Sequence, residues 1–162
     1  MKYTVTLILV SFFIVQACSE SISDPSKIYL GITETGPAGP EPIGNIDHDD
    51  WLEQFDYSVV DGTIPLSYSV SPAYPNPTTR YCNLRFAVPM SDSVVIILDD
   101  RALDKTTTIL SERLNPGTYN ILIDLNYGDD FLIRDESIVR LYFYIPTISV
   151  FPEVHGDIKI IK

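Results

Sequence analysis

Few residues in this chain have the types and spacing that catalysis requires. His48 and His155 are the only histidines, and no serine or aspartate stands at a spacing that would complete a nucleophilic triad with His155. Acidic residues occur in adjacent pairs, and neighbours on a strand point to opposite faces, so no pair forms an acid–base couple by its spacing. From residue 63 onward, the pairs are Asp99–Asp100, Asp129–Asp130 and Asp135–Glu136. The sequence therefore predicts a protein that is not an enzyme and uses no cofactor.

The first cysteine follows a segment with the features of an export signal. Residues 1–17 place Lys2 before an apolar stretch at residues 5–15, which is shorter than the roughly 20 residues that a membrane-spanning helix needs. Cys18 follows Val15-Gln16-Ala17, an order that resembles a bacterial lipobox. The resemblance implies lipidation of Cys18 and cleavage before it, which would anchor the mature chain in a membrane. The alternative is an ordinary signal peptide in which Cys18 has no role.

The second cysteine, Cys82, would then be the only free thiol of the mature protein. No disulfide can form within such a chain, despite its exported location. Cys82 is followed by alternating apolar residues, which favours a small, buried core side chain. A catalytic thiol would need a nearby histidine, and we do not expect one.

The charge of the chain is large and unevenly distributed. The formal net charge is −11, and this excludes nucleic acid as a partner because a phosphate backbone needs a basic surface. Residues 19–62 contain ten acidic residues and one lysine, whereas residues 63–162 contain twelve acidic and nine basic residues. With four prolines in the first of these stretches, residues 18–62 are predicted to form a mostly irregular, self-repelling acidic tether.

One part of this tether carries signals of local order. Asp50 opens a capping-box pattern, which predicts a short helix near residues 50–56 that docks Trp51 onto the following domain. Asp47, Asp49 and Asp50 together suggest calcium, but the glycine and the twelfth-position glutamate of an EF-hand loop are missing. We therefore predict a solvated acidic turn and no metal site.

Residues 63–162 show the alternation of half-buried strands between turn signals. The pattern predicts an all-β domain, specifically an immunoglobulin-like antiparallel β-sandwich of about seven strands. The predicted strands are residues 64–70, 82–88, 94–99, 106–111, 118–125, 138–145 and 157–161. The side chains predicted to face the core in the second and sixth strands are Cys82, Leu84, Phe86, Val88, Val139, Leu141, Phe143 and Ile145.

A proline-rich turn, Tyr74-Pro75-Asn76-Pro77, leads into this domain. The two prolines fix their own φ angles and favour extended geometry at the residues before them. We expect the side chain of Asn76 to bond the backbone that follows it, and Tyr74 to close one end of the sandwich.

The same four residues begin a resemblance that covers about residues 70–162. Tyr74-Pro75-Asn76-Pro77 resembles the opening of the C-terminal sorting domains of the type IX secretion system, and of the related immunoglobulin-like domain of flagellar hook-capping proteins. Further segments match in order, at residues 83–89, 94–110, 114–119, 141–144 and 158–162.

This resemblance, with the signal segment, implies a non-enzymatic protein of the bacterial envelope. It would be held by lipid on Cys18 at the outer membrane, and its β-sandwich would serve a binding or structural role. Its partners would be the membrane and either the type IX secretion machinery or another envelope protein. One alternative is a functional sorting module that directs export to the cell surface, and a second is a small envelope hydrolase that uses the aspartate clusters.

Four aromatic residues are a further candidate binding surface. Their side chains would either line a carbohydrate-binding face or pack mainly in the core, which is the commoner arrangement. This aromatic set consists of Tyr119, Tyr142, Phe143 and Tyr144.

Overall fold

Seven β-strands form two antiparallel sheets in this computed structural model, which describes residues 31–51, 64–101, 104–125, 137–148 and 154–161. The strands are β1 (Ser69–Val70), β2 (Tyr81–Val88), β3 (Asp92–Asp100), β4 (Lys105–Leu114), β5 (Gly117–Asp124), β6 (Ile138–Tyr144) and β7 (Val154–Lys159). One sheet has the order β1-β2-β5 and the other the order β4-β3-β6-β7. The described part of the chain is therefore all-β, and the two sheets are consistent with a sandwich.

The core lies where alternate side chains of the two sheets meet. Phe86 of β2 and Phe143 of β6 are almost fully buried, and their ring centroids are 5.3 Å apart. Burying one such side chain contributes about 1.5–3 kcal/mol. The predicted core faces of β2 and β6 are confirmed, because every residue named for them is buried.

The first and last strands differ from their predicted bounds. Regular pairing of β1 begins only at Ser69, and Ile64 and Leu66 before it are 63% and 86% exposed. Pro65 between them has no N–H to donate to a strand ladder, which explains why the alternating pattern does not become a strand there. At the other end, β7 begins at Val154, three residues before the predicted start at residue 157.

Residues 31–51, which we call the strap, lie against the sandwich. Within the strap, the amide of Glu34 donates to the carbonyl of Asn45 at 2.8 Å, and the amide of Ile43 donates to the carbonyl of Glu34 at 2.9 Å. The amide of Thr35 donates to the carbonyl of Asn76 at 2.8 Å. The strap has no regular secondary structure, but it is docked on the sandwich: Thr33, Thr35 and Asp50 are buried, whereas Glu41, His48 and Asp49 remain exposed.

The capping-box prediction falls at the end of the strap. Trp51 has a φ of 51°, in the left-handed region, and the carboxylate of Asp50 accepts hydrogen bonds from Thr33 and Asp157. Residues 52–56, the rest of the predicted helix, lie outside the described residues. Trp51 itself is 4% exposed and belongs to the core cluster, so its predicted docking onto the domain is confirmed.

Candidate functional site

The outer edge of β7 is closed by residues from distant parts of the chain. The amide of Trp51 donates to the carbonyl of His155 at 2.7 Å, near the start of the strand. Near its end, the amide of Thr78 donates to the carbonyl of Lys159 at 2.9 Å, and Thr78 accepts from the amide of Ile161 at 2.8 Å. An open strand edge is a template for unwanted pairing, so these contacts protect β7.

Asn76 fills the middle of this edge with its side chain. Its Nδ2 donates to the carbonyl of Asp157 at 2.8 Å and to the carbonyl of Thr33 at 3.0 Å, and its Oδ1 accepts from the amide of Lys159 at 2.9 Å. The side-chain amide thus takes the place of a peptide group in the ladder. The predicted bond from Asn76 to the backbone that follows it is replaced by these long-range bonds, because the fully buried amide lies between the strap and β7. The peptide bonds before Pro75 and Pro77 are both cis, and Tyr74 is half-buried.

Asp50 completes the edge with its carboxylate. Oδ1 accepts from the amide of Asp157 and Oδ2 accepts from the amide of Thr33, both at 2.8 Å. Asp50 is only 6% exposed, so the predicted solvated acidic turn is wrong at this residue. Burial raises the pKa of Asp50 to about 7, and the nearby Asp157 adds to that effect.

A second buried carboxylate lies beside the first. Asp157 is 1% exposed and accepts from Nε and Nη2 of Arg140 at 2.6 and 2.8 Å. Burial raises the pKa of Asp157, although the charge and hydrogen bonds of Arg140 act in the opposite direction. We call Thr33, Asp50, Asn76, Arg140 and Asp157 the polar junction.

A cleft of about 540 Å³ lies between the strap and the three-stranded sheet. Its volume is within the range of small-molecule binding sites. The strap supplies Thr33, Pro40, Glu41, Pro42, Ile46, Asp50 and Trp51. The opposite side is formed by Ser69, Ser71, Pro72, Arg85, Phe86, Ala87 and Thr118. The lining combines aromatic rings and prolines with hydroxyl groups and a few charges.

The predicted site residues are distributed over the molecule rather than gathered at the cleft. Cys18 lies outside the described residues. Cys82 is fully buried, and burial raises the pKa of its thiol to about 12, so the predicted core role is confirmed. His48 is exposed on the strap, whereas His155 is half-buried on β7. Asp47 and its neighbours form no group of three metal-ligating side chains within the described part of the chain.

The acidic pairs also lie away from the cleft. Asp99 and Asp100 end β3 on opposite faces, with Asp100 buried and Asp99 half-buried, as the alternation of a strand requires. Neither residue lines the cleft. The pairs at 129–130 and 135–136 lie outside the described residues.

The aromatic set does not form one surface. Phe143 is buried in the core, and Tyr119 stacks on Phe86 with ring centroids 5.4 Å apart. Tyr142 and Tyr144 point to the other face of their sheet, where their centroids are 6.1 Å apart. A carbohydrate-binding face shared by all four residues is therefore excluded by the alternation of β6.

No local pattern in the sequence predicts the polar junction. Arg140 and Asp157 have opposite charges and lie in the predicted sixth and last strands, which is weak evidence that they pair. The strand register that brings them together cannot be predicted from one sequence. The two amides that meet Asp50 come from residues 17 and 107 positions away, and no local pattern points to either.

Comparison of the chain with protein-family models, with curated protein sequences and with solved structures finds no match. Among the residues that the structure describes, no helix has the length and apolar character needed to cross a membrane.

Proposed function

We propose that this protein is a lipid-anchored, non-enzymatic binding module of the bacterial envelope, built on an immunoglobulin-like β-sandwich. The anchor is supported by Cys18, which follows an apolar stretch and Ala17 in the order of a lipobox. The observation that carries the binding role is the cleft of about 540 Å³ between the strap and the three-stranded sheet. The outer membrane is the location that best fits this combination.

The chemistry of the cleft favours binding over hydrolysis. Among the described residues, Glu41 and Asp50 are the carboxylates that line it, but both oxygens of Asp50 already accept backbone amides. A general acid or base must be able to reach a proton on the substrate. Asp50 is instead committed to holding the strap, so the cleft offers shape, aromatic contact and hydroxyl groups rather than an acid–base pair.

The anchor would hold the sandwich close to the lipid surface. Thirteen residue steps separate Cys18 from Gly31, the first residue of the strap. A chain of that length reaches at most about 45 Å when fully extended. The maximum distance between the lipid anchor and the strap is therefore set by this short stretch, and not by the whole of residues 18–62.

Anchoring is tested by phase partition of the protein expressed in a bacterium with a lipoprotein pathway. The native chain should enter the detergent phase with a mass that includes the lipid, and Cys18→Ser should enter the aqueous phase. A Cys18→Ser variant that stays in the detergent phase contradicts the anchor. Cys82→Ser is the matched control, because it removes the buried thiol and leaves Cys18 intact.

Binding is tested by titrating the purified chain with envelope glycan fragments and with short peptides. Trp51 is the only tryptophan and lines the cleft, so its emission should change saturably when a ligand enters. Arg85→Ala should weaken that response, whereas Arg80→Ala, at a residue outside the cleft lining, should not. Equal responses in both variants would place binding elsewhere.

A second function, export through the type IX secretion system, is favoured by the motif Tyr74-Pro75-Asn76-Pro77. Three residues of the motif are partly accessible, namely Tyr74, Pro75 and Pro77, whereas Asn76 is fully buried. If the domain is a removable sorting signal, the exported protein should lack its C-terminal residues. Mass spectrometry of the native protein distinguishes the two functions, since an intact Lys162 on a lipidated chain rules out a cleaved signal.

A further inference from the structure

We propose that docking of the strap onto the sandwich is coupled to proton uptake at Asp50, so that the strap is held more firmly at acidic than at alkaline pH. The position of the Asp50 carboxylate supports this coupling. Asp50 joins the strap to β7, is 6% exposed, and accepts amides from Thr33 and Asp157.

The polar junction contains more buried negative charge than positive charge. Asp50 and Asp157 are both buried, and Arg140 directs Nε and Nη2 at the carboxylate of Asp157. No salt bridge joins Asp50 to a basic side chain among the described residues. A buried carboxylate without a cation is costly when ionised, and protonation relieves that cost.

The charged groups around Asp50 do not reverse this conclusion. Asp47 in the strap and Asp157 on β7 both disfavour a second negative charge, and together with burial they act against two favourable backbone hydrogen bonds. Arg140 and His155 lower the pKa of Asp49 and of Asp157. Asp49 raises the pKa of Asp157. The net result is a pKa of about 7 for Asp50 in the docked state.

The direction of the pH effect follows from the difference between the pKa of Asp50 in the docked state and its pKa in the undocked state. When the strap is undocked, Asp50 is in water and has a pKa near its ordinary value of 3.8. Between that value and about 7, docking takes up a proton, so the docking equilibrium weakens as the pH rises. The change should be on the order of a hundredfold to a thousandfold between pH 4 and pH 8. Because the strap forms one side of the cleft, the same proton also stabilises the cleft.

The test uses amide hydrogen exchange of the full mature chain between pH 5 and pH 8, corrected for intrinsic exchange. The amides of Thr35 and Trp51 bond Asn76 and His155 across the junction, so they report docking directly. Their protection should fall by up to roughly a hundredfold over this pH range, following the linkage above. In Asp50→Asn that dependence should disappear.

Two control variants separate the effect of Asp50 from the effects of two neighbouring ionisable residues. Asp49→Asn and His155→Gln should both keep the pH dependence of the wild type. If the wild-type protection is flat over this range, or if Asp50→Asn retains the full dependence, the proposal is wrong. Should Asp50→Asn fail to fold, the wild type is used instead, and the Asp50 carboxyl is titrated directly by NMR. A midpoint above about 5 supports the proposal, and a lower midpoint overturns it.

Discussion

The indole ring of Trp51 covers Gly156 so closely that a Cβ at position 156 would overlap Cε2, Cζ2 and Nε1 of the ring. The last residue of the strap therefore packs directly on the backbone of β7, in the same place where its amide bonds the carbonyl of His155. The ring fits because residue 156 has no side chain. This contact, and not local helix formation, fixes Trp51 at the end of the strap.

Gly156→Ala should displace Trp51 and loosen the strap. Overpacking of a closely packed site costs about 1–3 kcal/mol. The expected result is a red shift of Trp51 emission and a lower urea midpoint. Gly117→Ala is the matched control, because an added Cβ there meets nothing closer than 3.7 Å and should change neither reading. Wild-type emission in Gly156→Ala would show that the ring is not held against β7.

Asn76→Ala should destabilise the protein by about 2–4 kcal/mol, because the carbonyl of Asp157 and the amide of Lys159 would each lose a buried partner. Chemical denaturation measures the change. Asn120→Ala, at an exposed position of β5, provides a control that should be close to neutral. If both variants unfold at the same urea concentration, the side chain of Asn76 does not serve as part of the ladder.

Arg140→Met should cost about 3–5 kcal/mol, since it leaves the carboxylate of Asp157 buried without its cation. Adding Asp157→Leu to this variant should restore much of the loss, because two apolar side chains replace a buried ion pair. Thermal unfolding of the single and double variants measures the change in stability and hence the interaction between Arg140 and Asp157. The exposed pair Arg80–Asp124 is the control, and Arg80→Gln should leave the melting temperature nearly unchanged. A double variant no more stable than Arg140→Met would contradict this account.

Cys82 should resist thiol reagents in the folded protein. Burial raises the pKa of its thiol to about 12, so almost no thiolate exists at pH 8. In the Cys18→Ser chain, a maleimide should label Cys82 only in the presence of a denaturant, as measured by the mass of the protein. Rapid labelling under native conditions would show that β2 opens readily.

Much of the sandwich could be predicted from the sequence, because alternation of apolar side chains reports burial of one strand face. Residues such as Leu84 and Leu141 follow this rule, and their strands appear where the pattern places them. The strap could not be predicted, since its order depends on hydrogen bonds between residues far apart in sequence. Asn76 illustrates the difference: its turn was visible locally, but its three partners were not.

The strap also determines how the molecule responds to mechanical load. A force applied through the N-terminus reaches the strap before it reaches the strands. The first contacts to resist it are the hydrogen bonds from Thr35 to Asn76, from Thr33 to Asp50 and from Trp51 to His155. Trp51, at the far end of the strap, belongs to the core cluster, so load that passes these bonds next reaches the core between the sheets.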